Sequence, residues 1–372
     1  MRRPLSLLFK QYILSLSLVT IAIFSLVSCS DNENIIEEPS VPAITKMIDL
    51  HLHLDGAISF ESARQLAKMQ NIDIPSDPKA LEELMRVSPT CKDLTEFLEK
   101  FDFPCSLIQT PEGLSTAVYN LCEELKAQNV IYAEIRFAPQ LSCKKGMTQE
   151  EVVQAAIAGM KKSSLRANLI LCCMRGEINA ENEALNRETV RLAAKYLGQG
   201  VCSTDLAGAE ALFPTAGYRD LFAYARELNV PFEIHAGEAD GPASVRQALS
   251  FGAKRIGHGV RSVEDPSLVA ELAAKQIPLL VCPTSNIQTC IVPEVKDLPV
   301  RIFLEAGIPL TISSDDPSIE GTDIKTEWEK AVAAFHLTSA EVRTLMLNAV
   351  NACFCDEDLR QQLRKEMEEA YR

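Results

Sequence analysis

The stretch MIDLHLHLDGA, residues 47–57, sets His51 and His53 two positions apart at the end of an apolar run. Residues i and i+2 of a β-strand face the same way, so both imidazoles project together from the C-terminal end of the strand. Two imidazoles at that spacing grip one side of a divalent cation and leave the rest of its coordination to distant parts of the chain. Taken alone, the pair is equally compatible with hydrogen-bonded core histidines. The other histidines decide between the two readings. His235 ends the run EIHAGE, His258 ends RIGHG, and Asp315 with Asp316 ends SSDDP; only His336 lies away from such an end, in a helical pattern. Core packing gives no reason to gather four of the five histidines at run ends, whereas a metal site does.

The chemistry such a set supports is hydrolysis. A divalent cation lowers the pKa of a bound water toward neutrality, and zinc with nitrogen and oxygen ligands is the usual choice. His51, His53, His235 and Asp315 form a ligand set for one Zn2+ per chain. A water so activated also needs a base for its proton, an acid on the leaving side and a donor for the developing oxyanion. Glu238, three residues after His235, and His258 are left for these tasks. The alternatives are a salt-bridged surface carboxylate and a buried, satisfied histidine; their position among the ligands favours chemistry.

These residues must be positioned by the elements that carry them. From Lys46 onward, β-rich apolar runs alternate with helical patterns; the runs cover 47–54, 130–139, 168–174, 200–208, 231–238, 255–259, 278–285 and 309–317. Strand and helix repeated in this way belong to the α/β class and predict a (β/α)8 TIM barrel, whose chemistry sits at the C-terminal ends of the strands. The runs lack strict alternation, as expected of parallel strands buried on both faces. An open doubly wound sheet shares the alternation; the number of runs and the polar residues at their ends favour the barrel. Residues 58–129 are too long for one crossover and predict a helical insertion between the first and second strands, placed as a lid over the mouth. Within it Leu94, Phe97, Leu98 and Phe101 fall at helical spacing. Phe97, Leu98 and Phe101 are expected against substrate, with a plain core stripe as the alternative.

Composition narrows the ligand. The 372 residues carry a formal charge of −14, which disfavours nucleic acid because phosphate neutralisation needs clustered Lys and Arg. A small neutral or cationic molecule fits better. The N-terminus has its own character: Arg2, Arg3 and Lys10 precede an uncharged stretch, 11–28, and Ser28 precedes Cys29. Leu26-Val27-Ser28-Cys29 resembles the bacterial lipoprotein signal, which implies a signal peptide over 1–28 and a lipid on Cys29. An uncleaved membrane helix of about eighteen residues is the alternative. Residues 29–45, acidic and proline-containing, read as a tether, and 46–372 as the barrel. Either anchor attaches the protein to a membrane of the cell envelope, with an outer-membrane or surface position suggested by the acidic run. Twelve cysteines less Cys29 leave eleven, an odd number, most of them in apolar segments and none in a Cys-x-x-Cys pair. They read as small buried hydrophobes.

Six stretches, HLHLDGA, STDLAGAE, IHAGEADGP, RIGHGVRS, CPTSN and SSDDPSI, occur in the order and spacing of the adenosine deaminase family of the amidohydrolase superfamily, and the resemblance spans about residues 46–356. It implies zinc-dependent hydrolytic deamination of adenosine and 2′-deoxyadenosine at C6, giving inosine or 2′-deoxyinosine and ammonia. By the same resemblance His51, His53, His235 and Asp315 are the zinc ligands, Glu238 protonates ring N1, His258 orients the attacking water, and Asp315 also accepts its proton. Asp316 would contact N7, the Gly208 N–H would contact N3, and His53 with Asp55 would read the ribose 5′-hydroxyl. The chain departs from the family at Cys353, where serine is common, and in RFAPQLSC, where bacterial relatives often carry histidine after Gln-Leu. Adenine and aminodeoxyfutalosine deaminases share the metal site but read His-Leu-Glu-Gly where this chain has His-Leu-Asp-Gly, so the shorter Asp55 favours a nucleoside. A cytidine-deaminase zinc site needs His-x-Glu and Pro-Cys-x-x-Cys, and neither is present. A nucleoside-binding lipoprotein without turnover is the alternative from another class; a lost ligand would support it, and every position is filled.

Overall fold

Eight parallel strands alternate with helices in the computed structural model, which describes residues 42–372. The expected signal peptide, Cys29 and most of the tether lie outside the described residues. The strands are β1 (Met47–His53), β2 (Val130–Phe137), β3 (Ala167–Met174), β4 (Val201–Ala207), β5 (Ile234–Ala236), β6 (Ile256–His258), β7 (Leu279–Val281) and β8 (Leu310–Ile312). They pair in order as two four-stranded parallel sheets, β1 to β4 and β5 to β8. Parallel bridges between Thr204 and Phe232 and between Leu52 and Asp315 join the sheets at both seams, so the strands close into the predicted barrel. The second seam carries chemistry as well as closure. Asp315 N donates to His51 O at 2.8 Å and His53 N donates to Asp315 O at 2.8 Å, which fixes the end of β1 against the end of β8.

Runs five to eight of the sequence contract to strands of three residues each. Their flanking residues are as buried as the strands, so apolar character continues after ladder pairing has stopped. His258 and Asp315 leave the ladder through left-handed backbone, at φ 58° and 57°. Such conformations are disfavoured for residues with a β-carbon and gather at functional sites.

The insertion after β1 contains helices α1 (Phe60–Gln70), α2 (Pro78–Met85), α3 (Leu94–Leu98), α4 (Asp102–Ser106) and α5 (Pro111–Ala127). Ser59, Asp77, Asp93 and Thr110 cap α1, α2, α3 and α5 by accepting from backbone N–H groups of the first turn, which satisfies donors a helix start leaves free. Around the barrel follow α6 (Gln149–Met160), α7 (Ala180–Tyr196), α8 (Arg219–Glu227), α9 (Pro242–Phe251), α10 (Pro266–Lys275), α11 (Pro283–Gln288) and α12 (Val300–Glu305). After β8 come α13 (Pro317–Glu320), α14 (Ile324–Phe335), α15 (Ser339–Ala352) and α16 (Glu357–Ala370). Among the described residues no helix is long and apolar enough to cross a membrane.

At the base, where the chain enters β1, the Tyr371 hydroxyl accepts from Thr45 N at 3.1 Å and donates to Lys46 O at 2.6 Å. Inside the barrel runs a ladder of buried charge. Arg136 Nη1 lies 3.1 Å from Asp205 Oδ2 and pairs with Glu233; Arg255 pairs with Glu233 and Glu134 and donates to Ala352 O at 2.8 Å. Removing one member of such a set leaves an uncompensated buried charge. The ladder therefore depends on every rung being filled.

Candidate active site

The ends of β1, β5, β6 and β8 bring four histidines and Asp315 to one point on the rim. Asp315 Oδ1 lies 3.4 Å from both His51 Nε2 and His53 Nε2, and His53 Nε2 lies 3.2 Å from His235 Nε2. The other carboxylate oxygen, Oδ2, lies 3.6 Å from His258 Nε2. His51, His235, His258 and Asp315 each offer a ligand atom within 4.8 Å of the others, and His53, Asp315 and Asp316 form a second, overlapping group. Neither ring nitrogen of buried His51 has a hydrogen-bond partner, a costly state for polar atoms away from water unless a cation takes one of them. Donor atoms 3.2–3.4 Å apart match the edges of a tetrahedron whose ligands stand about 2.0–2.1 Å from a central ion. The residues fit a divalent metal.

Protonation agrees with that use. Burial lowers His51 well below the ordinary histidine value and takes His53 to about 3 and His258 to about 4, so these imidazoles are neutral and free to ligate. Burial alone would raise Asp315, but in the acid range where the carboxyl would take up a proton the imidazoles of His51 and His258 are charged, and they outweigh burial and hold it well below its usual range. Glu238 goes the other way. Burial, and after it the charges of Asp315 and Glu210, push it well above the carboxylate range, which keeps a proton where an acid is needed.

Neighbouring residues hold the set in place. His235 Nδ1 lies 2.8 Å from Asp205 Oδ2, leaving Nε2 to face the metal position, the arrangement by which a carboxylate orients a ligating imidazole. Asn286 Nδ2 lies 3.1 Å from His258 Nδ1, and His258 Nε2 is 3.6 Å from Glu238 Oε2. Thr289 Oγ1 donates to Glu238 Oε1 at 3.2 Å. Gly237 N, Glu238 N and Asp240 N all donate to the buried carboxylate of Glu210, at 2.8, 3.1 and 2.9 Å. A β-carbon on Gly56 would stand 1.8 Å from Asp316 Oδ1, so only glycine lets the Asp316 carboxylate approach the turn after β1 that closely.

A cavity of about 210 Å³ opens from this point toward the insertion. His53, Glu238, His258, Asp315 and Asp316 line one part of its wall; Asp55 and Gly208 line it too, as do Leu94, Phe97, Leu98 and Phe101. The insertion thus supplies apolar wall to the site, as a lid would. Asp55 is buried, accepts from Cys105 Sγ at 3.4 Å through Oδ2, and has no partner for Oδ1.

The adenosine deaminase family matches residues 47–370 of the chain. An adenosine deaminase of Haemophilus ducreyi is 44% identical over 334 residues, covering 87% of this chain and 96% of that protein. The chain belongs to the adenosine deaminase family. A second adenosine deaminase, from Enterococcus faecalis, is 35% identical and covers 90% of this chain and 99% of its own. Among solved structures, an adenine deaminase from Arthrobacter aurescens superimposes with a TM-score of 0.78 at 26% identity, over 88% of this chain and 99% of that one. A zinc-bound amidohydrolase from Burkholderia ambifaria, 21% identical, shares the fold with a TM-score of 0.78, over 88% of this chain and 90% of that one.

For this member of the adenosine deaminase family, the structure gathers every sequence-predicted site residue around one cavity, apart from Cys29, which lies outside the described residues. The sequence reading gave no task to Asp205, Glu210, Asn286 or Thr289. The first two stand in STDLAGAE and the third in CPTSN, so the motifs contained them; what singled them out was the partner each meets on folding.

Proposed function

We propose that the protein is a zinc-dependent hydrolase that deaminates adenosine and 2′-deoxyadenosine to inosine and 2′-deoxyinosine with release of ammonia. The observation that carries this reading is the divided use of Asp315, with Oδ1 toward His51 and His53 and Oδ2 toward His258. The division supports His51, His53, His235 and Asp315 as the residues that would hold the metal, with His258 left beside Glu238. A bound zinc ion supplies Lewis acidity that favours ionisation of a water at neutral pH.

The protein's own residues do the rest. His258, steadied by Asn286, orients the attacking water and stabilises the charge that develops as it adds. Asp315 takes its proton through the oxygen nearest His258 and passes it to the 6-amino group, which leaves as ammonia as the C6–N bond breaks, while the adduct's hydroxyl proton is released and Glu238 regains its own from solvent. Glu238 delivers a proton to ring N1, which draws electrons from C6 as the new bond forms. Asp316 meets N7 and the Gly208 N–H meets N3, so the purine is registered on three edges. Asp55, with Oδ1 unpartnered, meets the 5′-hydroxyl, and Phe97, Leu98 and Phe101 cover the ligand from water.

The test is ultraviolet absorbance of metal-replete protein with adenosine or adenine, before and after a chelator. Chelator-sensitive conversion of adenosine, with adenine untouched, is expected; turnover of adenine alone would overturn the nucleoside assignment. The ligand set has its own test. His53→Ala is expected to lose the metal, whereas His258→Ala keeps it and loses turnover, read by metal analysis of the purified variants; the reverse pattern would exchange the two roles.

The lipid anchor and envelope location are part of the same proposal, supported by Arg2, Arg3, the uncharged stretch 11–28 and Ser28-Cys29. Cys29→Ser is expected to move the protein from the membrane fraction to the soluble fraction. Retention in the membrane would favour an uncleaved helix.

A further inference from the structure

Of the eleven described cysteines seven are buried, and Cys91, Cys143, Cys290 and Cys355 are not. Two of these four, 199 residues apart in sequence, meet beside the cavity: Cys290 Sγ donates to Cys91 O at 3.1 Å. Cys91 lies in the turn between α2 and α3, held by its N–H to Ser88 O at 3.0 Å. Cys290 closes α11 with its N–H on Ile287 O at 2.9 Å and sits in left-handed backbone at φ 61°. A residue with a β-carbon is disfavoured there, and the side chain this one carries is turned onto the insertion.

The two turns adjoin different parts of the site. Past Cys91, α3 and the turn after it carry Phe97, Leu98 and Phe101 to the cavity. Next to Cys290, Thr289 donates to the Glu238 carboxylate at 3.2 Å, and Ser285 of α11 lines the cavity. A bond between the thiols would therefore join the covering insertion to the loop that braces the proposed acid.

We propose that Cys91 and Cys290 form an oxidation site, at which a disulfide staples the insertion to the turn after α11 and holds the cavity mouth closed. The oxidant is a small-molecule disulfide of the glutathione class. One cysteine thiolate attacks it, forming a mixed disulfide and releasing one thiol; the second cysteine attacks the bound cysteine sulfur and releases the other. Two protein thiols are oxidised, one small disulfide is reduced to two thiols, and the two cysteine protons end on those thiols. The bond needs Cα atoms roughly 4.4–6.8 Å apart; the Cys290 thiol already touches the backbone of the residue it would join, and the Cys91 thiol, which donates to Asp93 O at 3.4 Å, has only to rotate away from that carbonyl. With the staple closed α3 is tied to the turn after α11, so exchange through the mouth slows, and with it any turnover limited by product release.

The experiment uses the full chain, equilibrated with reduced or oxidised glutathione and mapped after alkylation. Oxidation is expected to give a Cys91–Cys290 peptide lighter by two hydrogens. The kcat for adenosine should fall about fivefold or more and recover with dithiothreitol, while Cys91→Ser gives neither effect. The activity arm rests on the deaminase reading; a second arm does not. Cys105 and Cys172 line the cavity, and the staple should slow alkylation of Cys105 by a small maleimide in the parent chain but not in Cys91→Ser. Recovery of Cys91 and Cys290 as separate alkylated residues after oxidation would overturn the proposal. So would a linked protein whose Cys105 alkylates at the reduced rate. Loss of the Cys105 effect counts against the staple, whereas absent turnover in the reduced protein counts against the deaminase reading.

Discussion

Glu238→Gln is expected to lower kcat for adenosine by about 10²–10⁴-fold, the range over which a positioned proton donor contributes, with bound metal unchanged. Glutamine keeps the shape of the side chain and can still accept from Thr289, which now donates to Glu238 Oε1 at 3.2 Å. What it removes is the transferable proton that burial and the neighbouring Asp315 and Glu210 charges hold on the carboxyl. Stopped assays on protein of measured metal content check this. Metal lost along with turnover would place Glu238 among the ligands, and turnover within tenfold of the parent would remove it from the chemistry.

Asp205→Asn is expected to weaken metal binding by about 10–100-fold, the usual consequence of losing a carboxylate behind a ligating imidazole. The 2.8 Å contact from Asp205 Oδ2 to His235 Nδ1 is one end of the buried ladder, and the same oxygen lies 3.1 Å from Arg136. An amide of equal size preserves the packing while giving up the charge that orients the ring. Competition against a chromophoric chelator reads the affinity directly, and thermal unfolding of the metal-free variant separates it from loss of fold. Unchanged affinity would confine Asp205 to its pairing with Arg136.

The histidine cluster was legible in the sequence because histidine is scarce here. Five in 372 residues, four of them at run ends, leave few explanations besides a metal. Asp205 and Glu210 carry comparable weight in holding the site but belong to 51 acidic residues; nothing in their types or spacing separates them from surface carboxylates. Their meaning lies in contacts between β4 and β5 that exist only once the barrel closes. Barrel closure itself was readable from eight alternating runs, whereas the three-residue length of β5 to β8 was not, since burial continues where pairing stops. The stripe Leu94, Phe97, Leu98, Phe101 does not lie on the single helix its spacing implies. The helix carrying it ends at Leu98 and gives way to a 3-10 turn over Glu99–Phe101, and the four side chains reach the cavity all the same.

The clamp at Tyr371 sets a load path. A pull on the chain upstream of Thr45 meets first the two hydrogen bonds from Tyr371 to Thr45 and Lys46 and the ion pair of Lys46 Nζ with Glu366 at 3.3 Å. Those contacts share the tension with α16 at the floor of the barrel, before it reaches His51 on the opposite rim. A pull on the chain before Thr45 is therefore borne first by the floor of the barrel, away from the histidine cluster on the opposite rim.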